Sequence, residues 1–174
     1  MPINRVNSST DLSIAAALFA EYAASIADVA GASLAHQGID HELTTLPGKY
    51  AEPRGRVYLV YPHGSLPPAS TPIGCGAIRP LDLVDPLAPA TTAEVKRMYI
   101  RPAHRGQGLA GELLDAMITD ARAIGYTRLV LDTSASMTAA IALYASRGFV
   151  PIPAYNVDPD PTTRWFALEL SALH

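Results

Sequence analysis

The run over residues 94–117, EVKRMYIRPAHRGQGLAGELLDAM, constrains this chain more than any other. It opens as a strand over residues 94–100 and turns through Arg101, Pro102, Ala103 and His104. It then enters a helix through a glycine-rich arch, Arg105-Gly106-Gln107-Gly108-Leu109-Ala110. Gly106 and Gly108 reach backbone angles closed to other residues and let a ligand come against the main chain. Behind them, the first amides of the helix have no internal partner and point outward at the positive end of the helix dipole. That arrangement suits a phosphate. Arg101 and Arg105 add positive charge, so the arch reads as a pyrophosphate cradle.

Two chemistries use such an arch. The stretch Gly106-Gln107-Gly108-Leu109-Ala110-Gly111 fits GxGxxG, and Asp132 follows after a second strand. On that reading the chain is an NAD(P)-dependent oxidoreductase with a dinucleotide loop. Against it, five residues separate Ile100 from Gly106. The preceding strand also carries Glu94, Lys96 and Arg97, where a central parallel strand is apolar on both faces. The second pattern is RxxGxA, formed by Arg105, Gly108 and Ala110. Strand, arch and helix together resemble the acyl-CoA-binding segment of the GNAT superfamily of N-acetyltransferases. The resemblance extends to Ala140-Ile141-Ala142-Leu143-Tyr144 and Arg147-Gly148-Phe149, similar to that family's AxxLYxxxGF segment. It covers residues 94–153.

The resemblance implies an α/β fold with a mixed, mostly antiparallel central sheet, parallel near its middle and flanked by helices. It implies acetyl-CoA as co-substrate and an amine of a small molecule or peptide as acceptor, attacking the thioester directly. Backbone amides of Gln107, Gly108, Leu109 and Ala110, with Gly106 and Arg105 beside them, would hold the pyrophosphate. Met98 and Ile100 would offer main-chain groups to the pantetheine arm, with the Met98 amide near the thioester oxygen. Tyr144 becomes the general acid, although Met137, Ala140, Ile141 and Tyr144 also share one helical stripe and describe a core tyrosine equally well. The family often has asparagine at the position of Met137, which leaves one cofactor contact open. Glu94 is the candidate general base, acting through water; a salt bridge to Lys96 or Arg97 is the competing reading. A non-catalytic acyl-CoA sensor is the other alternative.

With 174 residues, 49% of them hydrophobic and 17% charged, the chain suits one globular domain, residues 1–174, rather than a disordered segment. A net charge of −3 argues against nucleic acid as a partner. Cys75 is the single cysteine, so no internal disulfide forms and a reducing compartment is expected. The N-terminus lacks the apolar core of a signal peptide, and the longest apolar run is too short to span a bilayer. A cytoplasmic protein without a membrane partner is expected, with homodimerisation left open. No HExxH or CxxC spacing appears, so no metal is expected.

Elsewhere the patterns are coarser. Residues 3–6 read as a strand. Ser8, Ser9, Thr10 and Asp11 offer caps for a helix carrying Ile14, Leu18, Tyr22 and Ile26, interrupted at Gly31. A second helix is expected over residues 36–46, so that the two form a wall of the acceptor site. His36, His41, Glu42 and Tyr50 in this region read as surface or packing residues. Residues 56–61 and 73–79 read as a hairpin of strands, with Cys75 a small buried hydrophobe. Loops are expected at 63–72 and 80–93. The helix behind the arch runs to Ile124 and stops at Gly125. A strand over 128–132 then lies parallel to the central one. A helix capped by Ser134 or Ser136 follows, ending at Arg147-Gly148, and strands over 149–152 and 164–170 close the chain.

Overall fold

The structure is a computed structural model and describes residues 2–65, 69–81 and 91–170. Seven strands form one sheet: β1 (Ile3–Arg5), β2 (Arg56–Val60), β3 (Gly74–Pro80), β4 (Thr92–Ile100), β5 (Arg128–Ser134), β6 (Val150–Ile152) and β7 (Thr163–Glu169). Their spatial order is β1-β2-β3-β4-β5-β7-β6. Every neighbouring pair is antiparallel except β4 with β5. The helices are α1 (Ser9–Ser25), α2 (Ala27–His36), α3 (Ile39–Thr45), α4 (Leu109–Ile124) and α5 (Thr138–Ser146). This is the expected mixed, mostly antiparallel α/β architecture, and not the doubly wound parallel sheet of a dinucleotide fold.

The sheet is covered on both faces. Along β2, Tyr58 and Val60 turn into one apolar layer, against Leu113, Leu114 and Met117 of α4. Val57, Leu59 and Tyr61 turn into the other, against Leu18 and Phe19 of α1. The period of two explains why this strand is apolar after Arg56: both faces are core. Gly76 on β3 is required by the packing of α4, because a Cβ there would meet Met117 Cε at 2.3 Å. Asp120 is a buried exception on α4. It accepts from Tyr58 Oη at 2.9 Å and pairs with Arg5, pinning the N-terminal strand to the helix. Cys75 is fully buried, as its reading as a small hydrophobe required.

Two local expectations are corrected. The first helix does not break at Gly31. It ends at Ser25, and α2 runs through Gly31, with Ala30 the residue off helical geometry (φ −144°). The left-handed residue that separates α2 from α3 is Gly38, at φ 72°. Gly31 meets nothing and adopts no left-handed angle, so its lack of a side chain goes unused there. Second, neither Ser134 nor Ser136 caps α5; Met137 occupies that position without a side-chain cap. Ser134 Oγ instead bonds Ser136 and Thr162, tying the end of β5 to the turn before β7. The loop after β6 is tied down by its side chains. Tyr155 reaches Glu94, Asn156 reaches Asp132 and Trp165, and Asp158 reaches Ser33. The expected loops at 63–72 and 80–93 fall partly outside the described residues.

Candidate active site

β4 and β5 share register only at their start, where Thr92, Ala93 and Glu94 face Arg128, Leu129 and Val130. Beyond that the strands part, while β5 stays paired with β7 through Ser134. On its other edge β4 slips register against β3. Cys75 faces Tyr99 and Ala77 faces Lys96, so Arg97 and Met98 share the single position opposite Gly76. This bulge bends the strand and sharpens the splay. Arg97 adopts φ 59° there.

A cavity of about 440 Å³ opens on the arch side of the splay. Met98, Tyr99 and Ile100 form one wall, and Gly106, Gly108 and the first residues of α4 form another. Gly106 and Gly108 hold φ of 75° and 82°. An added Cβ at either would meet nothing, so what these positions require is the backbone angle and not the space. No side chain caps α4, which leaves the amides of its first turn to an external partner. Gly111 lies under Arg147, whose Nη2 would be 2.6 Å from an added Cβ. Arg147, at the end of α5, is itself held by Asp115.

The expected cofactor residues do not contribute alike. Leu109 is buried, so only its main chain can face a ligand. Gln107 is exposed on the arch and absent from the cavity lining. Arg105 lines the cavity but donates Nε to the Ile100 carbonyl at 2.9 Å, which leaves its two terminal nitrogens for a phosphate. Arg101 is not the mobile charge expected. Glu21 holds it through two nitrogens, with contacts at 2.9 Å and 3.1 Å.

A second, smaller cavity of about 90 Å³ opens on the other side of the splay. Lys96, Arg97, Asp132, Ser134, Asp158 and Asp160 line it, with Ser33 and Gln37 of the helical wall. The two cavities share Tyr22, Ile26, Met98, Met137, Ala140 and Tyr144, so the path between them passes these side chains. Tyr144 is 8% exposed and its hydroxyl has no hydrogen-bond partner among the described residues. Burial pushes its phenol above the ordinary tyrosine value, so it is a protonated donor at neutral pH. Tyr22 is the residue at this junction that helical spacing read as packing alone; burial pushes its phenol up to about 12.

The family model of the acetyltransferase (GNAT) family matches residues 31–149. The chain belongs to the GNAT family. It is 33% identical over 142 residues to an uncharacterised N-acetyltransferase of Schizosaccharomyces pombe, covering 81% of this chain and 80% of that protein. Among solved structures it is similar to an acetyltransferase of Streptococcus agalactiae, with a TM-score of 0.70, 20% identity and 97% of each chain covered. It is also similar to a Salmonella typhimurium structure determined with its cofactor acetyl-CoA, with a TM-score of 0.64 and 21% identity over 98% of this chain and 95% of that one.

In this GNAT chain the expected base Glu94 lies outside both cavities. It is 1% exposed. Lys96 Nζ sits 2.9 Å from one carboxylate oxygen and Arg79 Nη2 2.8 Å from the other, and Tyr155 Oη donates at 2.9 Å. Burial alone would push the carboxyl up; Lys96 and Arg79 outweigh it and hold the group below the usual carboxylate range. A carboxylate held that way resists taking a proton, and the geometry makes Glu94 an anchor of the ion cluster. The sign of its pH dependence follows. A carboxyl with a depressed folded-state value stabilises fully above its ordinary value of 4.5, and that contribution fades as pH falls through the lower folded value. Glu94→Gln is therefore expected to lower Tm at pH 7, with the gap to wild type closing below about pH 4. Its pH–rate profile for acetyl transfer should keep the wild-type shape; a displaced limb would restore the base.

The remaining expectations divide cleanly. Arg79 pairs with Glu94, His104 lines the arch-side cavity, and His36 and His41 are exposed. Asp132, the ribose carboxylate of a dinucleotide reading, is held by Lys96 and Asn156 in the smaller cavity, away from the arch. Among the described residues no cluster of histidine, cysteine and acidic side chains could hold a metal, and no helix is long and apolar enough to cross a membrane.

Proposed function

We propose that the chain transfers the acetyl group of acetyl-CoA to a primary amine of a small molecule or peptide. One observation carries the reading: the splay opens into two cavities meeting at Tyr144, one beneath an uncapped helix with a glycine arch. The residues present fit the co-substrate. The arch amides and Arg105 take the diphosphate, and β4, unpaired beyond Glu94 on the edge that faces β5, offers main-chain groups to the pantetheine arm.

The amine enters from the smaller cavity and attacks the thioester carbon. The carbonyl oxygen gains charge as the C–N bond forms, and the Met98 amide on the bulge donates to it. A donor of that kind is typically worth about 3–4 kcal/mol. The C–S bond then breaks and Tyr144 donates its proton to the leaving sulfur. The proton that the attacking nitrogen loses leaves through the smaller cavity, whose lining carries carboxylates. Asp132, Asp158 and Asp160 give that cavity an acidic rim suited to a cationic amine.

An acetyl-CoA consumption screen against spermidine, L-lysine, kanamycin and a peptide beginning with alanine tests the reading. Turnover with at least one amine is expected. Coenzyme A binding without turnover across the set would favour a sensor instead. The arch has its own test. Gly108→Ala puts a Cβ at φ 82°. A free arch that relaxes away from that angle must be driven back on binding, at a cost of about 1–2 kcal/mol, so calorimetry should show acetyl-CoA binding weakened roughly five- to thirtyfold. Unchanged affinity would place the diphosphate elsewhere.

A further inference from the structure

We infer that Glu42 and Arg97 are a positioning pair that locks the amine-side wall to the bulge on β4. The inference rests on the acetyl-transfer reading, and neither side chain is required to touch a reacting atom.

Arg97 is the one non-glycine residue with a positive φ among the described residues. Such a conformation persists only where the surroundings hold it. Here three groups do. Glu42 on α3 takes the guanidinium with both oxygens, from Nε at 2.7 Å and from Nη2 at 3.1 Å. Gln37, between α2 and α3, accepts from Nη1 at 3.1 Å. The Cys75 thiol donates to the Arg97 carbonyl at 3.5 Å. The arginine is 4% exposed, so its charge has been taken out of water and Glu42 compensates it.

The position of this pair gives it a consequence. Arg97 directly precedes Met98, whose amide faces the thioester in the proposed reaction. Gln37 and Arg97 both line the amine-side cavity. The wall made by α2 and α3 is fastened at one end by Ser33 to Asp158, at 2.5 Å, and at the other by Gln37 and Glu42 to Arg97. The planar fork of arginine fixes direction as well as distance, which a lysine would not do. The pair therefore sets the amine's wall and the amide donor in one register. Without Glu42, a buried cation loses its partner and draws toward water, taking the bulge with it.

Glu42→Gln, Arg97→Gly and the double variant test this with three readouts. Glycine accepts φ 59° without strain, so Arg97→Gly removes the tie and keeps the backbone conformation available. For the amine that the wild type acetylates best, each single variant should lose at least tenfold in kcat/KM. Acetyl-CoA Kd should stay within twofold. Amides over residues 37–46 should exchange hydrogen at least tenfold faster. The double variant should be no worse than the weaker single, as expected for two halves of one contact. Wild-type kinetics and exchange in Glu42→Gln, or losses that multiply in the double variant, would overturn the inference. Should the wild type acetylate none of the four amines, the acetyl-transfer reading fails by itself. Hydrogen exchange then decides the pair: faster exchange supports it and unchanged protection removes it.

Discussion

Tyr144→Phe is expected to lower kcat for acetyl transfer at least tenfold while acetyl-CoA Kd stays within twofold of wild type. The substitution removes one oxygen and leaves the ring against Phe149, 5.9 Å away between centroids, so packing is kept. The energetics allow the step. A free thiol near 8.5 and a tyrosine near 10 differ by about 2 kcal/mol in proton affinity. Burial raises the Tyr144 phenol further, but a thiolate in the same cavity loses the same water and is raised with it. The gap between them therefore grows less than either value. The hydroxyl meets no protein partner among the described residues, whereas a core tyrosine at 8% exposure ordinarily has one. Stopped-flow detection of free thiol gives kcat, and calorimetry gives Kd; unchanged turnover would return Tyr144 to the core stripe and move the acid to Tyr22.

Lys96→Met carries the largest expected loss of stability, about 3–5 kcal/mol. Lys96 Nζ lies 2.9 Å from Glu94 and 3.2 Å from Asp132, and the lysine and Glu94 are both within 4% of full burial. Methionine keeps the volume of the stem but leaves two carboxylates facing each other with less charge to balance them. Arg79 still holds Glu94, and Asn156 still holds Asp132, so the fold should survive with a lower Tm. For a chain of this size the expected fall is roughly 6–20 °C. Scanning calorimetry measures it. A Tm within 2 °C of wild type, on the order of half a kcal/mol, would show that the cluster relaxes into water and adds little.

The same cluster marks where the sequence stopped being legible. Glu94, Lys96 and Arg97 sit within four positions of one another, and proximity along the strand offered Lys96 and Arg97 equally as partners for Glu94. The pleat separates them. Glu94 and Lys96 face one side, where Lys96 bridges Glu94 to Asp132, while the bulge turns Arg97 to Glu42, 55 positions away. Arg101 was read beside the arch because it is near in sequence, yet Glu21 of α1 claims it from 80 positions away. The break in the helical wall was misplaced for a related reason. A glycine permits a left-handed residue but does not require one, and only packing chose Gly38 over Gly31.

What the sequence determined by itself was local. The strand, the arch with Gly106 and Gly108 at positive φ, the helix ended by Gly125 and the parallel strand after it all follow from backbone preferences over a few residues. The tertiary structure decided which charges pair, which of them are buried, and that Tyr22 joins Tyr144 where the two cavities meet. The reason lies in range: a dihedral preference acts through its immediate neighbours, whereas an ion pair forms between whichever residues the assembled sheet and helices bring within a few ångströms.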